Sequence, residues 1–281
     1  MFLRVLFIVT LFTLLSVKNF ATNDTIYCGT DSYNAMTQIG GLNITSFGTL
    51  KALFIMIDFC DDDEDRNNPV WPLGYAICDE EKGQGAIGPN FLNDIVDETE
   101  TQNSGTIANA TTFFNDMSKG LFKMIGKAYY VRAPHPLSWY IANHQGQEAA
   151  YSARDAIQIL DQTVDFSDFD RWIDAPYNHT QGQDGVIDMV FICYRRWYRE
   201  ASSFHHEGWY YGSLPSGQVW VDNNQRRITG DHSVNVLNMF NYPKMDVVYH
   251  EYGHAWGLNH NYSPGLWSLM SRQYRIQTSF M

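Results

Sequence analysis

Apolar positions along the chain fall into two kinds of pattern. "LKALFIMIDF", Leu50 to Phe59, is a nearly unbroken apolar run with an acidic stretch beyond it, the mark of a strand covered on both faces. "DGVIDMVFICYRRW" carries a second such run, centred on Val190 to Cys193. "LFKMIGKAYYVRA" alternates as a strand does. In "GTIANATTFFNDMSKG" the residues Ile107, Thr111, Phe114 and Met117 recur at helical steps, with Gly120 as the stop. "GQEAAYSARDAIQILDQTV" places Ala149, Ala153, Ile157 and Leu160 on one apolar stripe. Strand, helix, strand, helix, strand in that order predicts an α/β (α+β) fold, a twisted mixed sheet packed with helices. "QVWVDNN", Gln218 to Asn224, alternates in a polar neighbourhood and predicts an edge strand.

The last helical pattern changes the picture. After "NYPKMDVVY", Met245, Val248, Tyr249, Tyr252 and Trp256 form a stripe, Pro243 suits the first turn, and Asp246 complements the positive end of the helix dipole. "HEYGHAWGLNH" then gathers three of the chain's nine histidines. His250 and His254, at i and i+4, stand one above the other on a helix face, so both imidazoles can reach one ion. Gly257 tolerates the positive φ at which helices end, and the returning chain brings His260 as a third nitrogen ligand. Three protein ligands leave the fourth corner of a tetrahedral zinc for water, as catalytic zinc sites do. Glu251 adjoins this set without joining it and is placed to act as general base and then acid. Five specified positions in HExxHxxGxxH make a specific signal.

The 281 residues suffice for one large domain, or one domain with a small appendage, and a formal charge of −12 speaks against nucleic acid as a partner. "MFLRVLFIVTLFTLLSVKNFA" has the layout of a secretory signal, and no later segment is apolar enough to span a bilayer. The expected organisation is a signal peptide over 1–21, a surface arm over 22–48 and a catalytic domain over 49–281, in a secreted protein without stable membrane association. Cys28, Cys60, Cys78 and Cys193 make an even set with three pairings, of which Cys60 with Cys78 closes a short loop. Sequons stand at Asn23, Asn43, Asn109, Asn178 and Asn261. Two acidic stretches suggest calcium at first sight. Asp61, Asp63 and Asp65 lack the glycine of a calcium loop and read as solvated, and Asp184 with Asp188 reads as a polar turn feeding a strand.

With His250, Glu251, His254, Gly257 and His260, and "LWSLMS" supplying Met270, the chain resembles the metzincin zinc metallopeptidases. "ALFIMIDFCD", "FFNDMSKGLFKMIG", "DGVIDMVFICY" and "GLWSLMS" are most similar to the immune-inhibitor-A-type secreted members. The gametolysin group and the matrix metalloproteinases, which also use three histidines, are the rival resemblances. The resemblance implies a zincin-like domain in which the active-site helix is followed by a methionine turn, with Met270 beneath the metal. It also implies a protein or peptide substrate lying extended on an edge strand, for which "QVWVDNN" is the candidate. Only eleven residues follow Met270, so a C-terminal subdomain is expected to be truncated. The function expected is a secreted zinc endopeptidase. The alternative is an inactive, zinc-holding binding protein on the same scaffold.

Overall fold

The computed structural model describes residues 41–62, 67–73, 87–102, 109–196, 198, 200–204, 208–210, 214–239, 243 and 245–258. All of them belong to one compact unit, Met36–Met281. The signal segment, Cys28, Cys78, Ile107, Asn261, His260 and Met270 lie outside the described residues, as do Asp63 and Asp65.

The protein is a mixed α/β structure built on a largely parallel sheet. β1 (Gly48–Asp58), β2 (Phe122–Arg132), β5 (Val190–Tyr194), β6 (Gly208–Tyr210) and β9 (Ser233–Val236) form five strands in the order β2-β1-β5-β9-β6. β1 pairs in parallel with β2 over its whole length and with β5, and β5 pairs in parallel with β9. β6 runs antiparallel to β9 and is the outermost of the described strands on that side.

The unbroken apolar runs follow from this position, because alternate side chains of a strand enter opposite faces and both faces are covered. Leu53, Ile55 and Ile57 of β1, with Val190, Ile192 and Tyr194 of β5, enter one core. Ala52, Phe54, Met56, Phe191 and Cys193 enter the other. Helix α3 (Glu148–Leu160) closes the first core through Ala149, Ala153, Ile157 and Leu160, the stripe read from sequence. Helix α1 (Ala110–Met117) and helix α4 (Met245–Ala255) close the second. In α1, Thr111 and Phe114 are buried, whereas Met117 is half exposed. Gly120 follows with φ +81°. No helix among the described residues is long and apolar enough to cross a membrane.

Several expectations are corrected by side-chain partners distant in sequence. Asp61 is not a solvated loop residue: its carboxylate accepts the N–H groups of Leu137 and Ser138 at 2.7 and 2.9 Å, capping helix α2 (Leu137–Asn143). Its neighbour Asp62 is buried against Arg195 and Arg196. Asn109 caps α1, accepting from Thr112 N–H at 2.8 Å and donating to Asp97 at 2.7 Å. A glycan there would attach to the Nδ2 that donates to Asp97 and would have to fit at a buried side chain, whereas Asn178 is exposed in a turn. Cys60 is disulfide-bonded, but Cys193 is a free thiol in the sheet core, so the four cysteines do not make two bridges.

"QVWVDNN" does not edge the main sheet. β7 (Gln218–Val221) pairs antiparallel with β8 (Arg226–Thr229) in a separate two-stranded ribbon. Asp222, Asn223 and Asn224, at φ between +50° and +65°, make the turn. A second small ribbon joins β3 (Trp172–Ile173) to β4 (Thr180–Gln181).

Candidate metal centre

Helix α4 is anchored by aromatic packing. Tyr249 stacks on Phe113 with centroids 3.7 Å apart, and Tyr252 meets Phe114 at 4.9 Å and Phe191 at 6.0 Å. Met245, Val248, Tyr249 and Tyr252 are buried as the stripe predicts, and so are Val247, Glu251, Gly253 and Ala255. Pro243 precedes the helix rather than occupying its first turn, and its carbonyl accepts from Met245 N–H at 2.9 Å. Asp246, His250 and His254 are then the residues of α4 that are not buried. At four-residue spacing they share one line along the helix. The single open seam of an otherwise enclosed helix is thus made of metal-binding side chains.

The two imidazoles are neighbours, with centroids 5.2 Å apart and planes at 90°. His254 Nδ1 donates to the Leu258 carbonyl at 2.7 Å. A carbonyl only accepts, so the proton sits on Nδ1 and Nε2 carries the lone pair. Burial lowers the pKa of His254, the neighbouring His250 lowers it further, and the Leu258 carbonyl opposes them. A neutral ring with its second nitrogen fixed by a carbonyl is the form in which histidine ligates metals. Glu251 is buried at 7% exposure, one position from His250.

The end of the helix explains the carbonyl's position. Gly257 has φ +86°. Its N–H donates to His254 carbonyl at 2.8 Å, and Leu258 N–H donates to Gly253 carbonyl at 3.1 Å. These two bonds define a Schellman turn, and the same turn brings Leu258 oxygen onto the His254 ring. Residues 41–48, expected as the end of a surface arm, brace this turn from outside. Leu42 and Asn43 N–H donate to the carbonyls of Trp256 and Ala255 at 3.1 and 3.0 Å. Trp256 Nε1 donates to Thr45 carbonyl at 3.0 Å. Ile44 and Thr45 are buried.

The structure therefore brings His250, Glu251, His254 and Gly257 together as the sequence spacing requires. His260 and Met270 lie outside the described residues, and no three His, Cys, Asp or Glu side chains among those described stand closed around one point. The two described histidines fit a zinc site in donor type, spacing and ring orientation.

At the turn read as polar rather than calcium-binding, the carboxylates engage backbone. Asp184 accepts from Val186 and Asp174 N–H, and Asp188 from Arg171 and Trp172 N–H. Asp170 accepts from Asp184 and Gly185 N–H and pairs with Arg226. The sequence reading missed Asp174, His179 and His232, which face one another nearby. Asp174 and His179 share a ribbon loop while His232 lies far along the chain, so no spacing signal could have grouped all three.

Comparison with models of known protein families returns no match, and no curated protein sequence matches the chain.

Proposed function

We propose that the chain is a secreted zinc-dependent endopeptidase with a zincin-like catalytic domain. The observation that supports this best is the seam of α4, where His250 and His254 take the open line of a buried helix and a glycine turn fixes the His254 tautomer. His250 and His254 would hold the metal, with His260 as the third ligand from the sequence motif and Met270 beneath the site. A zinc ion held there supplies Lewis acidity towards water and towards the scissile carbonyl. Glu251 takes the proton from the attacking water and returns it to the departing amine. No covalent bond to the chain is needed.

A parallel sheet with one antiparallel outer strand beside the histidine helix suits an extended substrate. β6, which packs next to α4, replaces "QVWVDNN" as the strand along which a peptide would pair backbone to backbone. The test is casein hydrolysis by the folded, zinc-loaded chain, with and without a chelator. Cleavage that stops on chelation and returns with zinc is expected. No chelator-sensitive cleavage would leave the zinc-holding binding protein as the better reading.

A further inference from the structure

A second set of side chains carries metal chemistry that the histidine helix does not use. Asp174 follows β3, His179 precedes β4, and His232 closes the short 3-10 turn Gly230–His232 ahead of β9. His179 Nδ1 lies 3.5 Å from one oxygen of Asp174, and His232 Nε2 lies 3.2 Å from the other. Both rings are tied at their far nitrogens. His179 Nε2 donates to Gly41 carbonyl at 3.0 Å, and His232 Nδ1 donates to Ile187 carbonyl at 3.1 Å. A ring whose one N–H is spent on that carbonyl turns a lone pair, not an N–H, towards the carboxylate.

Acceptors facing acceptors in a buried place need something positive between them. The two histidine side chains are 1% and 6% exposed, and His179 Nδ1 has no hydrogen-bond partner. One proton could join Asp174 to one ring only. The charges acting on Asp174 are further carboxylates, of Asp184, Asp170 and Asp231, while Arg226 is engaged by Asp170, Asp222 and Gln183. Bonds of about 2.0–2.1 Å to a tetrahedral ion set donors roughly 3.3 Å apart, close to the two separations seen. Asp174, 25% exposed, leaves a path for the ion and for a water as fourth ligand. As they stand, no three His, Cys, Asp or Glu side chains among the described residues are placed to hold a metal ion, so binding requires the carboxylate, the group with room, to turn.

We propose that Asp174, His179 and His232 bind a second divalent cation of the zinc class, a structural ion separate from the histidine helix. Nitrogen donors favour zinc over calcium or magnesium. Its role is to tie the β3–β4 loop to the start of β9. Through Gly41 it also ties in the segment that braces α4. The inference does not depend on peptidase activity.

The experiment strips the full chain with a chelator, adds Zn2+ alone and measures bound metal by elemental analysis, with thermal unfolding in parallel. In the His250→Ala/His254→Ala variant about one zinc per chain should remain, since two nitrogens and a carboxylate make a sufficient site. Zinc should still raise its Tm. Adding Asp174→Asn should abolish both effects. A His250→Ala/His254→Ala protein that binds no zinc, or an Asp174→Asn change that leaves bound zinc untouched, overturns the proposal. If Asp174→Asn does not fold, Co2+ bound to the double variant decides: a tetrahedral visible spectrum that His179→Gln removes supports the site, and its persistence refutes it. A wild-type chain that binds a single zinc, all of it lost in the double variant, would sink this inference and leave the catalytic reading standing. Unchanged wild-type zinc in the double variant would sink the catalytic reading instead.

Discussion

Replacing Glu251 with Gln is expected to lower peptide turnover by about two orders of magnitude or more while zinc content stays at the wild-type level. General acid–base groups contribute about 10²–10⁴-fold to rate. The substitution keeps the shape of the side chain and removes its capacity to take a proton. Glu251 is buried and adjoins His250, so the isosteric amide is the informative replacement and alanine is not. Turnover and bound zinc must be measured on one preparation. Loss of both zinc and fold would make Glu251 a structural residue, and unchanged turnover would remove it from the chemistry.

The second large effect is expected at a residue that touches neither water nor substrate. Gly257 holds φ +86°, and a Cβ built there would stand 2.9 Å from Leu42 Cβ. Gly257→Ala should destabilise the protein by about 1–3 kcal/mol through backbone strain, a fall in Tm of several degrees for a domain of this size. The strained turn also carries the Leu258 carbonyl that orients His254. Disturbing such a partner weakens metal binding about 10–100-fold. A zinc competition titration beside the melting curve separates the two effects. A lower Tm with unchanged zinc affinity would show that Leu258 oxygen does not set the ring.

The parts of the fold legible in sequence are those whose cause is local. β1 and β5 announce themselves because both faces are buried, and α3 and α4 because their stripes repeat over several turns. β9 is four residues long and carries a buried Asn235, so nothing in "SVNV" marks a central strand. α2 has Pro136 at its cap position without a side-chain cap bond. It is capped instead by Asp61 from 76 positions away. In "QVWVDNN" the alternation marks the strand but not its neighbour, since alternation tells which residues form a strand and not what pairs with it. In the candidate metal centre, the i, i+4 histidines and the glycine break are local and legible. The Leu42 and Asn43 brace, like the Asp174 group, joins distant segments and has no periodicity to betray it.

That brace has a bearing on when the protein becomes competent. Thr45 and Trp256 are separated by 211 positions, so the last turn of α4 acquires its outer partners only after nearly all of the described chain has been synthesised. Closing so long a loop adds little free energy beyond a loop half its size, about 0.6 kcal/mol, but non-local pairing of this kind slows folding. Maturation of the histidine helix is thereby made a late event in folding.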